Sequence, residues 1–238
     1  MTPLCRGSLG RDINGHAVSS LSSTSVFLYD TTLKITWLQN AGLTSLLTNA
    51  EAKTWASDLV VGTFTDWRLP NTGPVNGQSF QMFQTNNGTS DFGAAKTGVG
   101  WGTSKELGHL YYVSLGNKGD CTPNDAAPTY SGPCTTLQPG SGLANTGAFN
   151  GLRQADYWSR SSTFGFDWAF QMNTGEPGLY GGGKIYALAV RDGDVLTAVP
   201  EPQASILMAV GIIGLLGIFA SKKQAAVRRV TEIEYSRN

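Results

Sequence analysis

The hydrophobic positions of this chain predict short strands and two helices, without an internal repeat of useful length. Residues 26–39 are rich in β-branched and aromatic side chains, and the polar triplet Asp30-Thr31-Thr32 interrupts them. This pattern predicts two short strands joined by a turn. Further along the chain, three more segments have a strand-like composition, at 157–162, 167–173 and 184–191.

Two segments have the residue spacing of an amphipathic helix. In 45–60 the apolar residues fall on one stripe, and Thr48 precedes Glu51 by the spacing of a capping box. A second helix is predicted to begin at Thr103, which has the same spacing to Glu106. Four residues would form its buried side: Leu107, Leu110, Tyr111 and Leu115.

The most apolar segment of the chain is 204–220, which contains no charged residue. As a helix it would be roughly 25 Å long, near the lower limit for crossing a bilayer. Length alone leaves a buried core helix as the alternative. Glu201 is the charged residue close before the segment, and four basic residues follow it: Lys222, Lys223, Arg228 and Arg229. This asymmetry predicts a transmembrane helix with its C-terminal side in the cytoplasm and the body of the protein outside.

A short proline-containing sequence, Val199-Pro200-Glu201-Pro202, stands just before the apolar segment. Val199, Pro200, Glu201 and Pro202, followed by an apolar helix and a basic cluster, resemble the PEP-CTERM sorting signal of Gram-negative bacteria. The resemblance covers 199–229 and implies recognition and cleavage by exosortase, a membrane-embedded protease. The two prolines favour an extended backbone, which a protease cleft can bind. Family tails end soon after the basic cluster, whereas this chain continues through 230–238.

The domain boundaries follow from these signals. Residues 1–20 contain no apolar stretch long enough for an export signal. We therefore expect the true start to lie upstream; the alternative is that the C-terminal helix is the only targeting element. The sequence predicts an N-terminal segment at 1–25, one domain at 26–197, the sorting signal at 198–229 and a cytoplasmic extension at 230–238.

The charge balance excludes one class of partner. Up to Val199 the chain has 12 Lys and Arg against 14 Asp and Glu, and the remainder has 5 against 3. Neither part is basic enough to indicate a nucleic-acid partner, and there is no stripe of basic and aromatic residues.

Two of the three cysteines enclose a loop rich in turn-forming residues. We expect Cys121 and Cys134 to form a disulfide, which would contribute roughly 3 kcal/mol in the chain-entropy model. The alternative is two unrelated thiols. A metal site is less consistent with the spacing, which lacks a CxxC motif or a nearby pair of histidines. Cys5 is left without an assigned partner.

An ordered series of short motifs runs through the body of the chain. After TWLQNAG come DWRLP, KELGHLYYVSLGN, YWSRSS, WAFQMNTG and YALAVRDGD. Over most of 27–195 this series resembles the Lcl C-terminal-like family, many of whose members carry a PEP-CTERM tail. The resemblance implies an α+β fold: a single C-type-lectin-like domain of short antiparallel strands and two main helices with long loops, here followed by the transmembrane helix at 204–220. A family member in a collagen-like bacterial adhesin binds sulfated polysaccharides, which implies polysaccharide as a ligand.

Four residues are candidates for a ligand-binding surface that is both aromatic and cationic: Trp67, Arg68, Trp158 and Trp168. The alternative is that they are core residues. Trp158 and Trp168 lie in predicted strands, and Arg68 could hydrogen-bond loop carbonyls.

The sequence gives no indication of catalysis, a cofactor or a metal. The sugar-and-calcium motifs of C-type lectins are absent, and Asp192-Gly193-Asp194 lacks the further oxygen ligands of a calcium loop. No GxSxG, HExxH or P-loop motif occurs. We therefore expect a protein that is not an enzyme.

Three functional classes follow. The leading one is an exported cell-surface or exopolysaccharide-associated protein, sorted through its PEP-CTERM signal and acting by binding or as matrix. Its expected location is the inner membrane before processing, and the cell surface or extracellular matrix of a Gram-negative bacterium afterwards. The alternatives are a polysaccharide-binding adhesin and a cell-envelope enzyme.

Overall fold

The computed structural model describes residues 8–93, 102–123 and 136–196. The chain divides into two compact units, Met1–Thr197 and Ala198–Asn238, and every described residue belongs to the first.

The predicted sorting signal at 198–229, with its apolar segment at 204–220, lies outside the described residues. The predicted extension at 230–238 does so as well. In the ranges that are described, no helix is both long enough and apolar enough to cross a membrane.

The larger sheet has five antiparallel strands in the order β2-β1-β3-β4-β8. Its strands are β1 (Ser8–Arg11), β2 (Ala17–Val18), β3 (Phe27–Asp30), β4 (Ile35–Leu38) and β8 (Val190–Asp192). The hairpin of β3 and β4 confirms the two strands predicted within 26–39. Strands β1 and β2 belong to the segment that was assigned to the N-terminal region, and β1 pairs with β3 along its whole length.

The central strands of this sheet, β3 and β4, are buried on both faces. On one face Leu28 lies opposite Trp37, and both belong to the largest hydrophobic cluster. On the other face Phe27 lies opposite Leu38, in a separate cluster that includes Trp67. Because both faces are covered, β4 consists entirely of buried residues.

The smaller sheet has three antiparallel strands in the order β5-β6-β7. They are β5 (Asp156–Thr163), β6 (Phe166–Gln171) and β7 (Glu176–Tyr180). The first two confirm the strands predicted at 157–162 and 167–173. A register irregularity in β5 lies between Trp158 and Ser162.

The first helix, α1 (Asn49–Asp58), forms where the sequence predicts it. Thr48 is its N-cap, and the Thr48 side chain and the Glu51 side chain each bond to the other's backbone N–H, which confirms the capping box. Ala52 and Ala56 pack this helix against the hydrophobic cluster that contains Trp158.

The second helix is shorter than predicted. Helix α2 spans Glu106–His109 and continues as a π-helical turn over Leu110–Ser114. The backbone N–H of Leu115 bonds to the carbonyl of Leu110 at 2.9 Å, which is the five-residue step of a π-helix. In this wider turn both Tyr111 and Tyr112 are buried.

The predicted fold class is therefore wrong. Within the described residues there are eight strands in two antiparallel sheets and two short helices, so the protein is mostly β rather than α+β. The C-type-lectin-like domain with two main helices and a following transmembrane helix is not supported.

Much of the difference between the predicted and the observed strands lies at the edges of the sheets. Strand β7 contains Pro177 and Gly178, which weaken a strand prediction, but β7 lies at the edge of its sheet, where proline is tolerated. Conversely, only the end of the strand predicted at 184–191 joins a sheet. Ile185 and Tyr186 form single bridges instead, to Leu47 and Tyr157.

Candidate functional site

Arg68, in the DWRLP segment, connects three separate parts of the fold. Its backbone forms a two-bond bridge with Val190 in β8, at 2.7 and 2.8 Å. Its guanidinium donates to both carboxylate oxygens of Glu106, at 2.8 Å from Nη1 and 2.7 Å from Nη2. It also donates to Asp192 Oδ1, at 3.2 Å from Nε and 2.6 Å from Nη2, and to the Leu69 carbonyl, at 3.1 Å from Nη1.

These bonds use the full donor capacity of the guanidinium. An arginine side chain has five N–H donors, and the five bonds to Glu106, Asp192 and Leu69 engage them all. Burial by itself would lower the pKa of Arg68, but hydrogen bonds and attraction from Glu106 and then Asp192 outweigh burial and raise the pKa above its ordinary value. The geometry therefore makes Arg68 an internal clamp with no donor left for a ligand.

The same clamp explains why the predicted capping box at Thr103 is wrong. The Glu106 carboxylate faces Arg68 and also accepts the backbone N–H of Asn71 at 2.6 Å. The Glu106 carboxylate therefore does not bond to the backbone of Thr103. Lys105 is the N-cap of α2, and its side chain makes no capping bond.

The three tryptophans predicted alongside Arg68 are buried, each with 2% or less of its surface exposed. Trp67 stacks on Phe27 with ring centroids 5.6 Å apart, and its indole N–H donates to the Phe64 carbonyl at 3.0 Å. Trp158 donates to the Leu47 carbonyl at 2.6 Å. The structure therefore does not bring these tryptophans together as a ligand surface.

Trp168 lies in another aromatic group. Its ring stacks on Phe80 with centroids 4.8 Å apart and contacts Phe92 at 5.0 Å. The Nζ of Lys105 lies 5.8 Å from the Trp168 ring centroid. Trp168 thus forms one wall of a buried charged site rather than part of the protein surface.

Of the predicted disulfide, Cys121 is described and Cys134 lies outside the described residues. Cys121 is buried and its backbone bridges to Leu137. The Thr122 N–H bonds to the Thr136 carbonyl at 3.1 Å, so the two ends of the loop are held side by side. The pairing of Cys121 with Cys134 stays a prediction. Cys5 also lies outside the described residues.

The carboxylates of Asp192-Gly193-Asp194 serve separate arginines. Asp192 pairs with Arg68, whereas Asp194 accepts two bonds from Arg11, at 3.1 Å from Nε and 2.7 Å from Nη2. No group of three or more potential metal-ligating side chains occurs in the part of the chain that the structure describes.

A half-buried acidic group, Glu176, lies in the small sheet at the start of β7. Burial, followed by repulsion from Asp120, raises the pKa of Glu176 to about 7. On the same sheet the Tyr180 hydroxyl donates to Asp156 and accepts from the Gln171 amide. Burial and then the bond to Asp156 raise the pKa of Tyr180 to about 12.

The hairpin between β5 and β6 exposes two phenylalanines that no sequence pattern marks as functional. Phe164 is 78% exposed and Phe166 is 46% exposed. The two residues between the strands, Phe164 and Gly165, have φ angles of 54° and 79°. Positive φ at both positions is typical of a type I′ turn, in which Asn, Asp or Gly is preferred at the position of Phe164.

Phe164 is therefore unfavourable on two counts. Its left-handed backbone costs a bulky L-residue about 1–2 kcal/mol, and its ring is left in water. Strained backbone is found preferentially at functional sites. The sequence carries one signal: an aromatic residue precedes Gly165 in the four-residue stretch 163–166 between the two predicted strands.

Polar side chains lie at the base of this hairpin. Ser162 Oγ donates to Asp167 Oδ1 at 2.6 Å, across the two strands. Lys53 of α1 reaches both, with Nζ 3.4 Å from Ser162 Oγ and 3.3 Å from Asp167 Oδ1. These polar groups lie at the same hairpin as the exposed rings, and Phe166, which precedes Asp167 in β6, is on the opposite face of the sheet from Asp167 and Ser162.

Comparison of the chain with protein-family models, with curated proteins and with solved structures found no match.

Proposed function

We propose that this chain is an exported bacterial protein that is sorted to the cell surface or extracellular matrix and acts there by binding rather than by catalysis. The observation that carries the proposal is the order of signals at 199–229: Pro-Glu-Pro, an uncharged apolar segment, and a basic cluster. This order resembles the PEP-CTERM signal, and the partner it implies is exosortase. The apolar segment at 204–220 would associate with the membrane before processing.

The chemistry of the tail supports a processing role. Pro200 and Pro202 restrict their own φ and disfavour helix in the residues before them, so the sequence favours an extended backbone at Glu201. An extended segment next to an apolar stretch is accessible to a membrane-embedded protease. The body before this segment, Met1–Thr197, is a separate compact unit, and cleavage after it would release that unit.

The experiment replaces Pro200, Glu201 and Pro202 by Ala in a host that has an exosortase, with a known signal peptide supplying export. The apolar segment is unchanged, so membrane association should persist, but the extended backbone and the charge are removed. We expect the altered protein to accumulate at full length in the inner membrane, whereas the parent is shortened and reaches the surface. A matched control replaces Thr231 and Glu232, beyond the basic cluster, and should be processed like the parent. Identical trimming and display of parent and altered protein would refute the proposal.

A second function, polysaccharide binding, is favoured by the β5–β6 hairpin. An aromatic ring can pack on the C–H face of a sugar, and neighbouring hydroxyl, carboxylate and ammonium groups can bond to sugar hydroxyls. Phe164, at the turn, supplies a ring, and Ser162, Asp167 and Lys53 supply polar groups at the base of the hairpin. Phe166 supplies a second ring on the opposite face of the sheet from Ser162 and Asp167. An exposed aromatic residue on strained backbone is costly for folding, and a ligand contact would account for it.

A further inference from the structure

Lys105 and Asp91 form an ion pair that is sealed from solvent. Lys105 is 1% exposed and Asp91 is fully buried, and the Lys105 Nζ contacts Asp91 Oδ1 directly. The proposed functions do not use this pair, and its burial keeps both reactive groups away from bulk solvent. Because the two groups are buried and in contact, each is the other's nearest reaction partner.

The Asp91 carboxyl is held in a fixed orientation by backbone donors. The N–H of Val75 bonds to Oδ1 at 2.9 Å, and the N–H of Gln81 bonds to Oδ2 at 2.5 Å. Two N–H groups directed at the two oxygens polarise the carboxyl and would stabilise negative charge developing on Oδ2 during attack at the carboxyl carbon.

Aromatic rings surround the ammonium group. The Lys105 Nζ lies 6.0 Å from the Phe80 ring centroid and 5.8 Å from that of Trp168. Phe80 and Phe92 both pack on Trp168. These rings exclude water, and they stabilise a charged group much less than water does.

Such an environment disfavours a charged pair. Burial lowers the pKa of Lys105, against the opposing hydrogen bond and attraction of Asp91. Transfer of one proton from the ammonium to the carboxylate converts the pair into an amine and a carboxylic acid, which cost less to bury. A desolvated, uncharged lysine is a nucleophile, and its nitrogen already contacts the carboxyl group that it would attack.

We propose that Lys105 and Asp91 condense into an intramolecular amide bond. The Lys105 Nζ forms a bond with Asp91 Cγ, and the bond between Cγ and Oδ1 breaks. Two protons of the original ammonium group leave with Oδ1 as one water molecule, and the third remains on the amide nitrogen. The reaction balances without an oxidant, a cofactor or a second substrate.

The cross-link would tie the segment before α2 to the segment around Asp91. A covalent bond within the chain restricts the unfolded state, and it persists under conditions that separate ion pairs. Condensation requires the folded arrangement, because the backbone donors and aromatic walls come from four separate parts of the chain.

Mass spectrometry of the reduced, denatured full chain tests the proposal. We expect a mass lower than that of the sequence by one water molecule, and a branched peptide joining Lys105 to Asp91 after digestion. Lys105→Arg should restore the full mass. Lys53→Arg, which alters an exposed lysine paired with Asp167, should leave the deficit and the branched peptide unchanged.

Two results would overturn the proposal. One is a parent protein of full sequence mass whose Lys105 reacts with an amine-modifying reagent after denaturation. The other is a water deficit located in a linear peptide, which would indicate a cyclic imide at an aspartate instead. Both readouts come from the parent protein, so they hold even if the Lys105 variant does not fold.

Discussion

Two groups of aromatic residues in the described part of the chain have opposite surroundings. Trp67, Trp158 and Trp168 are almost completely buried, whereas Phe164 and Phe166 protrude from the β5–β6 hairpin. These tryptophans are the rings that the sequence predicts for a ligand surface, yet they fill the core. The comparison teaches that exposure and backbone conformation identify a candidate binding residue better than ring type does.

The largest effect that the comparison predicts is on stability. Trp168→Ala would leave a cavity beside Phe80 and Phe92, and we expect a loss of about 4 kcal/mol in the free energy of unfolding. Phe164→Ala removes an exposed ring and should change stability by less than about 0.5 kcal/mol. Urea denaturation of both variants measures the difference. Equal losses would mean that the two groups do not differ as described.

The next prediction separates a clamp from a ligand contact at Arg68. Removal of its side chain leaves Glu106 buried without its ion-pair partner, and we expect Arg68→Ala to cost about 3 kcal/mol. This is at the low end for buried pairs, because the other partner, Asp192, is 80% exposed in its side chain. Arg68→Lys keeps the charge but loses the two-pronged geometry and should give an intermediate loss. Thermal or chemical denaturation measures the stability of each variant. Lower stability with unchanged ligand binding would fit a clamp, whereas lost binding at unchanged stability would contradict it.

How far the sequence could predict these environments depends on the range of the interactions. The strands around Asp30-Thr31-Thr32 and the capping box at Thr48 were predictable because turn formers and capping pairs act locally. The failure at Thr103 has a long-range cause: Arg68, 38 positions before Glu106, takes its carboxylate. No local pattern contains that competition.

The candidate site was missed for a related reason. Phe164 and Trp168 both stand in or beside strands rich in aromatic residues, so composition alone does not distinguish an exposed ring from a buried one. Packing of Phe80 and Phe92 from distant segments decides that Trp168 is covered. The one local signal was the Phe-Gly turn, which favours a backbone that phenylalanine rarely adopts.

A third prediction concerns Glu176, whose side chain is only partly buried. The folded-state pKa of Glu176 is raised from 4.5 to about 7, so its stabilising contribution is present below about pH 4.5 and is lost as the pH rises through 7. Glu176→Gln cannot ionise and should be more stable than the parent at pH 8 by about 2 kcal/mol, allowing for partial exposure. Unfolding curves at pH 5 and pH 8 measure the change. A constant difference between parent and variant at both pH values would be inconsistent with this titration.

The smallest effect is expected at the turn itself. Phe164→Asn places a residue that tolerates positive φ at a position with a φ of 54°, and we expect a gain of about 1 kcal/mol. Phe166→Asn, where the backbone has no such requirement, is the matched control and should give no gain. If Phe164→Asn destabilises the protein, the ring contributes to folding and the exposed position loses its functional significance.

Polysaccharide binding by these same variants tests the role of the hairpin most directly. The compact unit Met1–Thr197 is measured by surface plasmon resonance against the exopolysaccharide of a host that has an exosortase, and against dextran sulfate. We predict that the parent binds at least one of the two and that the double variant Phe164→Asn with Phe166→Asn loses affinity by tenfold or more, as expected for about 1.4 kcal/mol, while remaining folded. A parent that binds neither polysaccharide, or a folded double variant that binds as tightly as the parent, would contradict the assignment of the hairpin as the ligand surface.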